Sequence, residues 1–282
     1  MTGALNRPEK WLVVKLADVG DLLTITPALA RLRQTRPDAT VHVLTTAHSA
    51  PLLAGTGLTD EVILFDKFAF DRPGEAIRPS SLRAGWGLFR RLRREHYDTV
   101  LILHHLTTRF GALKYAALAL STGARRRLGL DNGRGWFLNE RVYDGGFGAM
   151  HEVACWLRVV DAALGTEPAG PYTPHDHPLH LGISPQDRAW AESALPSPAA
   201  GPRLAIHTGS GGYSRARRWS AESFAWVADA LHERHHAQIV VVGGPDDDAE
   251  TAIAAMTHQP VNLIGQTTLG QLGAGLASCE AF

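Results

Sequence analysis

Short apolar runs alternate along this chain with longer segments in which apolar residues recur every three or four positions. In the first half, five such runs predict buried strands: Trp11–Lys15, Val41–Leu44, Glu61–Phe65, Thr99–Leu103 and Arg127–Leu130. These runs alternate with amphipathic segments, whose apolar residues fall on one helical face. This alternation is typical of an α/β domain in which helices cover a parallel sheet.

Three helices stand out in the first half by this periodicity. The first carries Ile25, Leu29 and Leu32 on one face and tolerates Pro27 in its first turn. The second is marked by Leu82, Trp86, Phe89 and Leu92, and the third runs from His151 to Leu164. We therefore assign residues 1–165 to an N-terminal domain.

Residues 166–202 are polar and rich in proline, and they hold at most one helix, around Gln186–Leu195. This composition is typical of an interdomain linker. The alternation then restarts in a C-terminal domain, 203–282, with three predicted strands: Arg203–His207, Gln238–Val242 and Val261–Ile264. The predicted helices between and after these strands are Ser220–Arg234, Asp248–Met256 and Thr268–Ala277, the last beginning with a Thr-x-x-Gln capping box. Because Cys279–Phe282 resembles the start of a further strand, we expect the second domain to be incomplete in this chain.

Composition excludes several classes of protein. The 282 residues carry 28 basic and 28 acidic side chains, so no net charge favours a nucleic acid partner. The two cysteines lie far apart without metal-ligand spacing, which fits a reducing compartment. The N-terminus shows no signal peptide, and no apolar run approaches the roughly 20 residues of a membrane span. We expect a cytoplasmic protein.

The first strand-to-helix turn, Lys15–Asp21, is acidic where such turns usually receive a phosphate. Asp21 follows Gly20 at the carboxyl end of the first strand, where open α/β sheets bind their ligands. A helix N-terminus favours an ionised carboxylate there, so Asp21 is a candidate proton acceptor. The alternative is that Asp21 caps the helix, and Asp18 is a typical turn residue.

The corresponding turn of the second half, His207–Trp219, is rich in glycine and arginine. Glycine allows close approach of the backbone to a ligand, and arginine matches phosphate oxygens bidentately. The turn therefore predicts a diphosphate site without the Walker Gly-Lys-Ser/Thr ending, or else a surface loop with solvated arginines.

Three further groups have both a functional and a structural interpretation. Asp246 could contact a ribose or base, whereas the Asp246–Asp248 triplet is more typical of helix caps than of a metal site. The cluster of Arg90, Arg91, Arg93 and Arg94, on the helix with Trp86 and Phe89, fits anionic lipid headgroups or a solvated face. Of the histidines, His104 and His105 fall at a strand end on the side of Asp21.

The chain resembles glycosyltransferase family 9, the ADP-heptose:lipopolysaccharide heptosyltransferases. The likeness begins in Lys15–Leu29, with its Gly-Asp and Thr-Pro-Ala-Leu elements, and continues in the family's order to the end of the chain. The later matching segments are Ser49–Leu53, Asp60–Ile63, His151–Val153, His207–Ser210, Arg217–Trp219, Gly243–Asp246 and Gly265–Leu269.

The resemblance implies a GT-B fold of two Rossmann-like domains facing a cleft, with the acceptor on the first domain and the donor on the second. It implies that Asp21 is the general base and that Arg217 replaces a lysine commonly found there. The donor contacts that it implies are Thr208, Gly209, Ser210, Gly211, Arg217, Gly244, Asp246, Thr267 and Thr268. Acceptor-side candidates are Asp18, His104 and His151. A further donor-site motif of the family would follow Phe282.

The expected reaction is inverting, metal-independent transfer of a heptose or related sugar from a nucleotide-diphosphate donor, such as ADP-heptose, to a lipopolysaccharide-core, glycan or glycolipid hydroxyl. No cofactor is expected, and contact with inner-membrane lipids fits the arginine-rich helix. A GT-B-like nucleotide-sugar epimerase and a catalytically weak nucleotide-sugar-binding fragment are the alternatives. A nicotinamide oxidoreductase is disfavoured, because the first turn lacks Gly-x-Gly-x-x-Gly.

Overall fold

The computed structural model describes residues 7–66, 70, 74, 78–168, 170–197, 200–209, 216, 218–244 and 249–282. The chain divides into two compact units, Met1–Leu181 and Gly182–Phe282. The division falls inside the segment 166–202 that the sequence assigns to a linker. Each unit contains its own parallel sheet, which confirms the α/β fold class.

The sheet of the first unit has six parallel strands. In chain order they are β1 (Lys10–Val14), β2 (Thr40–Thr45), β3 (Glu61–Leu64), β4 (Thr99–Ile102), β5 (Arg126–Asp131) and β6 (Glu140–Tyr143). They lie side by side in the order β3-β2-β1-β4-β5-β6. Strands β2 and β3 therefore lie on one side of β1, and β4, β5 and β6 lie on the other. Sheets with this order bind ligands at the carboxyl ends of the strands where the order reverses, here between β1 and β4. The five predicted strands are confirmed, and β6 is an addition.

Helices flank this sheet. They are α1 (Val19–Leu23), α2 (Thr26–Thr35), α3 (Pro79–Arg94), α4 (Arg109–Ser121) and α5 (Glu152–Leu164). The predicted first helix is confirmed as α2, with Pro27 in its first turn, where its missing N–H costs nothing, and α1 is an addition. The central strands read as continuous apolar runs because they are covered on both faces, and Leu12, Val13 and Val14 are completely buried.

The second unit contains α6 (Pro185–Ala194), β7 (Arg203–His207), α7 (Ala221–His235), β8 (Gln238–Val242), α8 (Glu250–Ala255), β9 (Val261–Asn262) and α9 (Leu269–Leu276). Its three strands are parallel in the order β7-β8-β9. Ala281 forms an isolated parallel bridge with Leu204 on the free side of β7, which confirms that Cys279–Phe282 begins to pair as a strand.

The core of each unit is separate. In the first, Leu12, Val100 and Ile102 pack with the apolar side of α4. In the second, Ile239 and Val241 pack with one set of helices, while Val240 and Val242 face Leu195 and α9. Within the described part of the chain, no helix is long and apolar enough to cross a bilayer.

Candidate active site

The acidic turn lies directly after β1, at the carboxyl edge of the first sheet. Its backbone is held by neighbours, because Ser49 Oγ donates a 2.7 Å hydrogen bond to the Ala17 carbonyl. Asp21 lies in the first turn of α1, and its side chain is exposed. No hydrogen bond to the Asp21 carboxylate occurs among the described residues, and it does not cap α1. The carboxylate is therefore accessible to a ligand.

A lysine lies behind this exposed carboxylate. Lys15 directly follows β1 and is only 3% exposed. Its ammonium lies 4.0 Å from the centroid of the Trp156 ring, a distance at which a cation and an aromatic face attract. Burial lowers the pKa of Lys15 from 10.5 to about 8, while the charges of Asp21 and Glu152 act in the opposite direction. The fold thus keeps the Lys15 ammonium near the Asp21 and Glu152 carboxylates, although burial removes much of its hydration.

A buried histidine continues this polar cluster. His105 lies three residues after the end of β4, with its ring between two carboxylates. Its Nδ1 is 3.0 Å from Asp144 Oδ2, and its Nε2 is 3.1 Å from Glu152 Oε1. Asp144 also accepts from the Gly146 N–H, which fixes its orientation. We call Lys15, Asp21, His105, Asp144 and Glu152 the first-unit cluster.

The other acceptor-side candidates lie near this cluster in different settings. His104 is half-buried and stacks on Tyr115, with ring centroids 4.8 Å apart. His151 is the N-cap of α5: its Nδ1 accepts from the Val153 N–H, and its ring stacks on Tyr172 at 4.1 Å. Asp18 is exposed and is the N-cap residue of α1, without a side-chain capping bond. A helix cap is therefore one observed role of His151.

The donor-side candidates that the structure describes lie at the carboxyl edge of the second sheet. Thr208 and Gly209 follow β7, Gly244 follows β8 by two residues, and Thr267 and Thr268 follow β9. The three strand ends meet at one edge because the strands are parallel, and the Gly265 N–H donates to the Gly243 carbonyl there. These candidates therefore share the carboxyl edge of the second sheet.

Thr208 and Thr268 differ in what their hydroxyls do. The Oγ1 of Thr208 is buried, and it makes no hydrogen bond within the described residues. A buried hydroxyl without a hydrogen-bond partner destabilises the fold unless another group forms that hydrogen bond. Thr268, by contrast, begins α9 in a reciprocal capping box with Gln271, as the sequence predicts. The candidates Ser210, Gly211, Arg217 and Asp246 lie outside the described residues.

Sequence reasoning missed most of the first-unit cluster. Lys15, Asp144 and Glu152 were not identified as site residues, and His105 was noted only for its position. A signal existed for Lys15, since a lysine at the end of a fully apolar strand is unusual. None existed for Asp144, because its approach to His105 depends on the path of the chain after β6.

The described residues contain no group of three or more His, Cys, Asp and Glu side chains arranged to hold a metal ion. His105 and its two carboxylates do not form one, because they contact opposite nitrogens of the ring.

Comparison with known proteins places this architecture in a family. Residues 86–282 match the family model of glycosyltransferase family 9 (heptosyltransferase). No curated protein matches the sequence significantly.

Solved structures share the fold at low sequence identity. A glycosyl transferase family 9 protein from Veillonella parvula DSM 2008 is 22% identical with a TM-score of 0.77, over 98% of this chain and 75% of its own. The ADP-heptose lps heptosyltransferase II of E. coli is 22% identical with a TM-score of 0.69, over 96% and 77%. E. coli heptosyltransferase WaaC, solved with ADP-2-deoxy-2-fluoro heptose, is 16% identical with a TM-score of 0.72, over 96% and 81%.

The structural matches support the GT-B fold, and the family model covers well over half of the chain. The chain therefore belongs to glycosyltransferase family 9, the heptosyltransferase family, and is a glycosyltransferase.

Proposed function

We propose that this glycosyltransferase moves a heptose, or a related sugar, from a nucleotide-diphosphate donor such as ADP-heptose to a hydroxyl of a lipopolysaccharide core or another glycolipid, with inversion at the anomeric carbon. The proposal rests above all on the exposed Asp21 carboxylate at the carboxyl edge of β1, with the Lys15 ammonium buried behind it. The family model and the heptosyltransferase neighbours favour this donor class.

Asp21 acts as the general base in this proposal. The acceptor oxygen attacks the anomeric carbon as its proton passes to the Asp21 carboxylate, and the bond from that carbon to the nucleoside diphosphate breaks on the opposite side. The Lys15 charge stabilises the ionised carboxylate before the proton arrives. His105, held between Asp144 and Glu152, orients Glu152 and so maintains the field around Lys15.

The second unit holds the donor. The Thr208 hydroxyl and the backbone N–H of Gly209 donate to diphosphate oxygens in this proposal, which is supported by the buried Thr208 Oγ1 lacking a hydrogen bond among the described residues. Gly244 is a further donor contact. Ser210, Gly211 and Arg217 offset the charge that develops on the leaving diphosphate, and Asp246 contacts the nucleoside. We propose that no metal or cofactor takes part. The acceptor side is completed by Asp18, His104 and His151, and the protein works in the cytoplasm at the inner membrane face.

The substitution Asp21→Asn tests the base. It keeps the size of the side chain and removes its ability to take a proton, so turnover should fall by roughly 10²- to 10⁴-fold while calorimetry shows unchanged donor binding. Asp38→Asn is the matched control, since Asp38 is also exposed but lies before β2, at the opposite edge of the sheet. Near-normal turnover of the Asp21→Asn protein would end the proposal.

The same assay separates the transferase from the epimerase. A putative UDP-N-acetylglucosamine 2-epimerase of Listeria monocytogenes shares the fold more distantly, at 14% identity and a TM-score of 0.51, over 96% of this chain and 72% of its own. Conversion of the donor to an epimerised sugar without any acceptor would support that activity instead. Tight nucleotide binding without transfer to any acceptor would support a binding protein.

A further inference from the structure

An apolar groove lies between α3 and α4 on the first unit. It has a volume of about 450 Å³, within the range of small-molecule sites. Phe65 and Phe70 stack at its base with ring centroids 5.1 Å apart. Leu82 and Trp86 of α3 face Leu113 of α4 across it. We call it the α3–α4 groove.

Several apolar side chains that line the α3–α4 groove are largely exposed to solvent. Trp86 is 61% exposed, Leu82 58% and Leu113 56%. Contiguous apolar patches of this kind usually mark a binding surface, because leaving them in water is unfavourable. Trp86 also stacks flat on Phe89 at 5.1 Å, so the aromatic rim is already ordered.

The groove adjoins a polar pocket at the carboxyl edge of the sheet. Phe110 and Lys114 line both the groove and a second pocket of about 250 Å³, which contains His104, His105 and Thr108. That polar pocket also includes Leu16, which follows Lys15 at the end of β1. From Phe110 to Ser121 the groove follows α4 for about 17 Å, at 1.5 Å per residue.

We propose that the α3–α4 groove binds the hydrocarbon chain of the acceptor, an anionic glycolipid whose polar part enters the adjoining pocket. This rests on the proposed function and names the place of the acceptor's apolar part. An amphiphile fits because an apolar groove adjoins a polar pocket, with Phe110 and Lys114 lining both.

Charge argues against a second copy of this chain as the occupant. Arg90, Arg91 and Arg94 line a further pocket on α3, beside the groove, and Lys114 lies on α4. A twofold dimer across this face would place like charges near one another, which is unfavourable. An anionic lipid would meet the same basic groups with opposite charge.

The test measures, by calorimetry, how tightly the full chain binds monomeric alkyl phosphates in the absence of donor. Each buried methylene should tighten binding by about fourfold, so tetradecyl phosphate should bind on the order of 100-fold more tightly than decyl phosphate. Equal affinity for the two chain lengths would overturn the proposal, because a site for the phosphate alone does not sense the chain.

Two tryptophan variants on α4 form a matched pair. Ala117 is exposed and lines the groove, so Ala117→Trp should obstruct it and weaken tetradecyl phosphate binding at least tenfold. Leu120 is also exposed on α4 but is not part of the groove lining, so Leu120→Trp should bind as the unmodified protein does. Equal binding by both variants, with both folded by circular dichroism, would overturn the proposal.

Three further outcomes have defined meanings. Binding to phosphatidylglycerol vesicles without binding to monomeric alkyl phosphates would overturn the chain site in favour of general membrane contact. A concentration-dependent dimer that Ala117→Trp abolishes would overturn it in favour of a second copy. A normal alkyl phosphate response in the Asp21→Asn protein is expected, since chain binding does not need the base.

The failures of the two proposals remain distinguishable. Chain-length-dependent binding by a protein that transfers no sugar would support the groove and contradict the transferase mechanism. Sugar transfer without any chain-length response would contradict the groove alone.

Discussion

Lys15 is a buried charged residue in the candidate site of the first unit. A lysine at the end of a fully buried strand must lose hydration, and burial accordingly lowers its pKa to about 8. This loss of hydration is only partly compensated. The Trp156 ring and the charges of Asp21 and Glu152 stabilise the ammonium, but its pKa stays below 10.5. Residues kept at such a cost are typical of functional sites.

Replacing Lys15 with methionine should therefore raise the free energy of unfolding and lower the turnover. A folded-state pKa of about 8 against 10.5 means that at pH 7 the charged lysine lowers the free energy of unfolding by about 3 kcal/mol. Lys15→Met should recover up to that amount, as measured by urea denaturation. Turnover should fall by about tenfold or more, because Asp21 loses its neighbouring charge.

The pH dependence has a definite sign. Between pH 8 and 10.5 the unfolded lysine keeps its proton while the folded one releases it, so the contribution of Lys15 to stability rises with pH. The advantage of the Lys15→Met protein over the unmodified protein should accordingly shrink across this window. A difference that stays constant from pH 7 to 10.5 would show that the ammonium is not destabilised by burial.

Using the difference between the two proteins removes other groups that titrate in the same range. Burial raises the pKa of Cys155 to about 11, which makes its contribution to stability fall as pH rises above the ordinary thiol value. Burial also raises the pKa of Tyr97. Tyr97 remains in the Lys15→Met protein, so its effect cancels in the comparison. The effect of Cys155 cancels only in part, because its charge also acts on Lys15.

At this scale the sequence identifies Asp21 as a candidate, whose role stays a prediction, but not the contacts around it. Asp21 could be selected because strand ends bind ligands and an acidic turn is unusual there. The contacts of His105 with Asp144 and Glu152 join residues 39 and 47 positions apart, and such pairings follow from the order of strands rather than from local pattern.

Among the elements, α9 begins with the capping box that the sequence predicts, which the structure confirms. The role of Thr268 in binding the donor stays a prediction. Its Thr268–Gln271 capping box satisfies two backbone groups reciprocally. Thr268→Ala should lower the free energy of unfolding by about 1 kcal/mol, whereas Thr268→Ser should preserve it. If calorimetry finds donor affinity also lowered in the alanine protein and kept in the serine protein, the Thr268 hydroxyl serves the donor as well as the helix.

Two glycines of α9 should respond oppositely to alanine. A Cβ on Gly270 would lie 2.4 Å from Asp187 Oδ2, the atom that caps α6, whereas a Cβ on Gly275 meets Leu195 at an ordinary 3.6 Å. Gly270→Ala should therefore lower thermal stability by displacing the Asp187 cap. Gly275→Ala should raise it by up to about 1 kcal/mol through helix propensity. Equal effects of the two substitutions would contradict the close packing of α6 on α9.

The elements that the sequence failed to predict have identifiable causes. Helix α4 has no single apolar face, since Leu113 and Leu120 are exposed while Tyr115 and Leu118 are buried. Leu113 on its outer side lines the α3–α4 groove and Leu120 is exposed beside it, so apolar residues fall all round the helix and periodicity could not identify it. Strand β6 lies at the sheet edge and is only partly buried, which removes the apolar run that revealed the inner strands.

For the whole molecule, the contact division falls inside the linker 166–202 that the sequence predicts. Composition placed the end of the first domain at residue 165, because proline begins to recur there. The contact division is at Leu181, and the residues between these two positions pack on the first unit. Tyr172 stacks on His151, and the His180 N–H donates to Thr26 Oγ1 at 2.9 Å. Local composition does not report such long-range contacts.

Two truncated proteins test this boundary. A fragment of residues 1–181 retains the complete six-stranded sheet and its core, so it should fold cooperatively and bind tetradecyl phosphate as the full chain does. A fragment of residues 1–165 loses the contacts to Thr26 and His151 and should be less stable by about 2 kcal/mol, at roughly 1 kcal/mol for each lost polar or aromatic contact. Thermal unfolding followed by circular dichroism measures the difference. Equal stability of the two fragments would show that residues 166–181 connect the units without stabilising the first, because their contacts to α2 and α5 would then contribute nothing.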